Sequence, residues 1–151
     1  MERRALRVLL IEDEPIDVLI VRRCLRRPSP CDSSFDLSHA PTLQAGLDRL
    51  GKGDADVVVL DLHLPDSDGL DTLRRVRDMD AHVPIVVFTA AGDETLALAS
   101  LRAGAQDHLV KGELPSLPLL RRTIRHAIER QRIAGHAADC GFGRFGKEPQ
   151  P

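Results

Sequence analysis

Val57-Val58-Val59-Leu60-Asp61-Leu62-His63-Leu64-Pro65-Asp66-Ser67-Asp68-Gly69 is the stretch that decides the fold. Four consecutive aliphatic residues run without interruption into an aspartate. A run that apolar reads as a strand buried on both faces, which requires a parallel sheet covered by helices. Asp66-Ser67-Asp68-Gly69 then reads as a turn and a helix start. The same arrangement recurs along the chain. Leu6–Ile11 ends on Glu12 and Asp13, Pro84–Phe88 on Thr89, and Gln106–Val110 on Lys111. In open α/β sheets ligands bind beyond the carboxyl ends of the strands. Three acids, a hydroxyl and an amine, scattered over a hundred residues, are therefore expected at one sheet edge, in a site suited to a divalent cation and a phosphoryl group.

Helical periodicity fills the intervals. Pro15 suits the first turn of a helix running to about Arg27, ended by Pro28-Ser29-Pro30. Phe35–His39 alternates rather than running continuously, as a strand near a sheet edge does. Leu43, Leu47 and Leu50 mark a second helix and Leu70, Leu73 and Val76 a third. Asp93 is the expected N-cap of a fourth, which ends with Gly104 at C′. The last helix starts near Pro115 or Pro118. Leu117, Leu120, Ile124, Ala127 and Ile128 form its apolar stripe, with Arg121, Arg122, Arg125 and Arg130 largely off it on a solvated face. Five βα units predict a parallel sheet with helices on both faces and right-handed crossovers. The domain is expected over residues 5–133, with an unstructured tail over 134–151 and no output domain.

Composition narrows the function. The 151 residues allow one domain with a real core, and a formal net charge of −2 gives no chain-wide footprint for nucleic acid. There are four Phe, no Trp and no Tyr, so base-stacking platforms are not expected. Cys24, Cys31 and Cys140 are too few and too scattered for a disulfide framework or a zinc site, and Cys24 reads as a core residue. His63, His82, His126 and His136 show no metal-ligand spacing. Arg22 and Arg23 break the longest apolar stretch, so no membrane span is expected, and a cytoplasmic location follows.

The acids point to Mg²⁺, which takes oxygen ligands from one or two carboxylates together with waters and phosphate oxygens. Asp13 and Asp61 are the expected direct ligands, Glu12 acts through water, and the backbone carbonyl of His63 is the third protein ligand. An aspartate can act as a nucleophile and form an aspartyl-phosphate. Asp61, on the central strand, is the best-placed phosphoacceptor, with Lys111 and the Thr89 hydroxyl left to pair with phosphoryl oxygens.

Val8–Pro15, Val59–Gly69, Val86–Ala90 and Gly104–Gly112 together resemble the receiver domain of response regulators in two-component signalling. The resemblance covers about Leu6 to Arg132. It implies a flavodoxin-like (βα)5 fold with strand order 2-1-3-4-5. It also implies phosphoryl transfer to Asp61 from a sensor histidine kinase or a phosphotransfer protein, a requirement for Mg²⁺, and movement of Thr89 toward the phosphoryl group, which changes the surface seen by a downstream protein. Three positions depart from the usual pattern. Glu12 replaces the commoner Asp, Gly112 replaces Pro, and His108 occupies the place of an aromatic switch residue.

Two other functions compete. One is a receiver fold serving as an interaction module that is never phosphorylated. The other is a phosphatase of the haloacid dehalogenase type, which wants a second Asp where this chain has His63. The reading taken is a non-enzymatic phosphoacceptor with slow self-dephosphorylation. The first helix is apolar on more than one face, which leaves both a buried helix and a homodimer surface open.

Overall fold

The computed structural model describes residues 4–26, 34–90, 92–111 and 117–145. Its elements in chain order are β1 (Leu6–Ile11), α1 (Pro15–Arg26), β2 (Phe35–Ala40), α2 (Leu43–Leu50) and β3 (Val57–Leu60). Then come the short β4 (His63–Leu64) and β5 (Ser67–Asp68), α3 (Leu70–Met79), β6 (Ile85–Thr89), α4 (Glu94–Arg102), β7 (Asp107–Val110) and α5 (Leu117–Phe145). Five strands form one sheet in the order β2-β1-β3-β6-β7, and every pairing in it is parallel. Counting its strands alone gives the flavodoxin-like order 2-1-3-4-5. The antiparallel pair β4–β5 is a separate hairpin in the loop after β3.

Alternation along the strands feeds two cores. Val8, Leu10, Val57, Val59, Val86, Phe88 and Leu109 pack with residues of α1 and α5. Leu9, Ile11, Val58, Leu60, Ile85 and Val87 pack with residues of α2 and α3. Each central strand is buried on both sides because side chains two apart share a face. β2 lies at the edge and is only partly buried, which accounts for its weaker apolar pattern. Where α2 crosses β1, a Cβ on Gly46 would overlap the Ile11 side chain, so the missing side chain sets how closely that helix approaches.

The loop carrying β4 and β5 is tied at three corners. Asp66 accepts hydrogen bonds from the Leu43 and Gln44 backbone N–H groups (2.8 and 2.9 Å), capping α2 from outside that helix. Those N–H groups, Gln44's above all, hold the Asp66 carboxyl below its ordinary range. Ser67 and Thr72 hydroxyls lie 2.7 Å apart. His63 reaches α4 through Asp93, as described below. Gly69, at φ +71°, makes the turn into α3, a backbone conformation that L side chains rarely adopt.

Three expectations need correction. α5 continues as helix to Phe145, past the start of the expected tail. Asp93 occupies the N-cap position of α4 but makes no side-chain capping bond, because its carboxylate is used elsewhere. Arg121 is buried rather than solvated, with its guanidinium over the Phe35 ring at 5.6 Å; its long stem lets a residue at the margin of the stripe pack inward. The breadth of α1 resolves into two faces: Val18, Val21, Cys24 and Leu25 are buried, whereas Ile16 and Leu19 are exposed. Gly104 at φ +111° follows the C-cap residue Ala103, as expected. Pro28, Ser29, Pro30, Cys31, Gly112, Pro115 and residues 146–151 lie outside the described residues.

Candidate functional site

The alternation that divides the core also sorts the site. Continued past the strand ends, Glu12 falls on the face of Val8 and Leu10, Asp61 on that of Val57 and Val59, and Lys111 on that of Leu109. All three therefore emerge on the α1 side of the sheet and meet. Lys111 Nζ lies 2.7 Å from Glu12 Oε2 and 3.2 Å from Asp17 Oδ2, and it donates a 3.1 Å hydrogen bond to Asp61 Oδ2. The other face of the ammonium looks onto the Phe88 ring, 5.4 Å from its centroid. Ligand atoms of Glu12, Asp13 and Asp61 lie within 4.8 Å of one another.

Backbone pairing places these groups. Asp61 N–H donates to Ile11 C=O (3.0 Å), and Lys111 N–H donates to Thr89 C=O (2.7 Å), so each strand end is pinned to its neighbour. Asp61 Oδ1 accepts the His63 backbone N–H at 3.0 Å, and Glu12 Oε1 accepts that of Glu14 at 3.1 Å. The Glu12 backbone carbonyl receives His39 Nε2 at 2.7 Å from β2; a carbonyl can only accept, so Nε2 carries the proton.

Electrostatics follow from the packing. Glu12 is fully buried, and that burial pushes its carboxyl up to about 7; the Lys111 ammonium pulls it back and the Asp61 charge adds to the rise. Burial works against the charge of Lys111, yet the Glu12 and Asp61 carboxylates outweigh it and hold the ammonium above its ordinary range. The expected reliance on a cation to relieve the crowded acids is thus met in part by Lys111 itself. The buried Glu12 Oε2 is paired with the Lys111 ammonium at 2.7 Å. An all-oxygen set containing an exposed Asp13 and a buried Asp61 suits Mg²⁺.

Thr89 belongs to the opposite face, with Ile85 and Val87, and its hydroxyl does not join the acidic cluster. It lines a cavity of about 270 Å³ under α4 with His108, Val110, Ala97 and Leu98. Thr89 Oγ1 and His108 Nδ1 are buried and have no hydrogen-bond partner among the described residues.

Three participants escaped the sequence reading. Asp17 reads as an ordinary first-turn helix acid, and nothing local marks its partner, because Lys111 lies at the far end of the sheet-forming chain. His39 sits on an alternating edge strand, where nothing distinguishes it. The His63 side chain bridges Asp68 (Nδ1–Oδ1, 2.5 Å) and Asp93 (Nε2–Oδ2, 3.0 Å), and these two carboxylates, Asp68 more than Asp93, raise its pKa. That contact joins residues 30 apart in sequence, beyond the reach of any local pattern.

A doubly wound sheet with an acid cluster and a largely shielded ammonium at the carboxyl ends of β1, β3 and β7 defines a receiver-type domain. The response regulator receiver domain family matches residues 8–125, and the chain belongs to that family. Transcriptional regulatory protein TrcR of Mycobacterium tuberculosis is 34% identical over 138 residues, covering 90% of this chain and 52% of TrcR. KDP operon transcriptional regulatory protein KdpE of Escherichia coli is 39% identical over 104 residues, covering 69% of this chain and 44% of KdpE. The chain thus spans about half the length of these relatives. The receiver domain of a Luxo repressor protein from Vibrio parahaemolyticus shares the fold, with a TM-score of 0.74, 24% identity and coverage of 89% of this chain and 98% of that one. Receiver domains are signalling domains that bind Mg²⁺ at an acidic pocket and interact with histidine kinases and downstream effectors. No helix among the described residues is long and apolar enough to cross a membrane.

Proposed function

We propose that this domain accepts a phosphoryl group on Asp61 from the phosphohistidine of a sensor histidine kinase or phosphotransfer protein in the cytoplasm. The observation that carries this reading is the contact of Lys111 Nζ with the Asp61 and Glu12 carboxylates beside Asp13. In the transfer an Asp61 carboxylate oxygen forms the new P–O bond, the P–N bond of the phosphohistidine breaks, and its electron pair returns to the imidazole. Such transfers need positioning and charge neutralisation more than covalent assistance. Asp13, Asp61 and the His63 carbonyl would hold Mg²⁺, with Glu12 acting through water, and the ion would supply neutralisation of phosphoryl oxygen charge. Lys111, already hydrogen-bonded to Asp61, pairs with a second oxygen, and the Thr89 hydroxyl donates to a third.

Thr89 and His108 are the proposed switch. Both line the cavity under α4 and both carry an unsatisfied buried polar atom, so a new hydrogen bond there has room and a donor. The output is altered binding of a downstream protein. Homodimerisation, if it accompanies phosphorylation, has exposed Ile16 and Leu19 on α1 to build on, and sedimentation with and without the phosphoryl group tests it.

Incubation with acetyl phosphate and Mg²⁺ is expected to yield one hydrolytically labile phosphoryl adduct per chain, detected by intact mass, that Asp61→Asn abolishes. A native protein that forms no adduct would favour the unphosphorylated interaction module. Phosphatase chemistry is disfavoured at His63, whose imidazole is engaged by Asp68 and Asp93 in the position where a general-acid aspartate would be needed. A generic phosphate ester is expected to show no multiple turnover.

A further inference from the structure

Lys111 contacts three carboxylates, and they are not equivalent. Glu12 and Asp61 belong to the cluster that can hold a cation, whereas Asp17 does not. Asp17 stands on α1, a helix fixed to the core by Val18, Val21 and Cys24 immediately after it. Its Oδ2 lies 3.2 Å from Lys111 Nζ, and both side chains are largely shielded, at 18% and 16% exposure.

This asymmetry matters once a divalent cation enters. Asp13 and Asp61 would then hold the cation, with Glu12 acting through water, and its charge would repel the nearby ammonium. A lysine has a flexible four-carbon stem, and without a fixed partner its ammonium is drawn toward water. Among the described residues Asp17 is the remaining anion in contact with it, and it is mounted on a rigid element. We propose that Asp17 is a positioning residue that keeps the Lys111 ammonium beside Asp61 when the other three carboxylates are committed to the cation. The inference rests on the phosphoacceptor reading above and adds to it a residue outside the strand-end set.

The test uses the full chain with Asp17→Asn and Asp17→Ser as neutral variants and Asp17→Glu as the charge-retaining one. At saturating Mg²⁺ the rate of phosphorylation by acetyl phosphate is expected to fall about tenfold in both neutral variants and to recover in part in Asp17→Glu. The Mg²⁺ dissociation constant, measured by calorimetry, is expected to change by less than about twofold. A second readout needs no phosphorylation. The ¹H–¹⁵N signal of the Lys111 ammonium, separable from Lys52 and Lys147 by assignment, is expected to persist in native protein with Mg²⁺ and to vanish in Asp17→Asn with Mg²⁺. Unchanged rate and signal in both neutral variants would overturn the proposal, as would a rate loss fully explained by weaker Mg²⁺ binding. If native protein accepts no phosphoryl group, the function above fails, and the ammonium signal still decides the role of Asp17.

Discussion

The two faces of the sheet handle polar groups in opposite ways. On the α1 side, Lys111 meets Glu12, Asp17 and Asp61 within 3.2 Å, and Asp61 also accepts a backbone N–H. On the α4 side, Thr89 Oγ1 and His108 Nδ1 border a cavity of about 270 Å³ without hydrogen bonds among the described residues. Removing one member of a satisfied buried charge network exposes the cost of desolvating the others, whereas an unsatisfied hydroxyl contributes nothing when removed. The acidic face is thus over-determined and the α4 face is slack. A switch needs both: a fixed site where chemistry is positioned, and an adjoining region whose alternatives lie close in free energy.

The largest expected effect breaks the tight side. Lys111→Met leaves Glu12, Asp17 and Asp61 without their shared ammonium and should destabilise the metal-free protein by roughly 3 kcal/mol at pH 8, read from urea unfolding. Added Mg²⁺ should restore part of that loss. A cost below about 0.5 kcal/mol would show that the network is not held as tightly as its distances suggest.

The next effect is in pH. Glu12 is raised to about 7 on folding, so the folded state keeps a proton that the unfolded chain releases. Metal-free stability should therefore fall as pH rises from the ordinary glutamate range to about 7, and level off above it. Glu12→Gln should remove that slope, measured by denaturant midpoints from pH 5 to 8 in EDTA. Mg²⁺ affinity of the native protein should rise over the same window, since the cation favours the carboxylate.

The α4 side supplies the contrasting case. Thr89→Val replaces a buried, unpartnered hydroxyl with a methyl group and should leave stability unchanged or raise it by up to about 1 kcal/mol. Adduct formation on Asp61 should persist, while any phosphorylation-dependent change in amide exchange along α4 disappears. A destabilisation above about 1 kcal/mol would place an unseen partner on that oxygen and erase the contrast between the faces.

The smallest effect concerns the bridge between them. His63 is partly exposed, so His63→Ala should cost less than about 1 kcal/mol. Because Asp68 and Asp93 raise its pKa, the contribution is complete below the unfolded histidine value and lost as pH rises through the folded one. Faster amide exchange at the start of α4 in the variant is the direct readout.

Much of this was legible in the chain because burial on both faces leaves a blunt record. Uninterrupted aliphatic runs located the central strands, and the polar residue closing each run located Glu12, Asp61, Thr89 and Lys111. Which side of the sheet each would face was also written there, in the alternation, but it becomes readable only once the strand ends are fixed to within one residue. Hence Thr89 and Lys111 were expected together and lie on opposite faces. Asp17 and Asp93 were hidden for another reason. A first-turn acid and a cap-position Asp each have an adequate local explanation, and a tertiary partner overrides it silently. Arg121 and the continuation of α5 past Gly135 show the same limit, where side-chain reach and helix propagation outrun composition.

Asp66 closes the first turn of α2 from a point 23 residues beyond Leu43. Thr42 supplies the Ala45 N–H with an acceptor and its carbonyl serves Gly46, so the two remaining amides wait for a carboxylate made later in synthesis. Until residue 66 is present, these two first-turn amides are left to water. A fragment ending before residue 66 should carry a frayed α2, and completion of that helix should require the loop that follows Asp61.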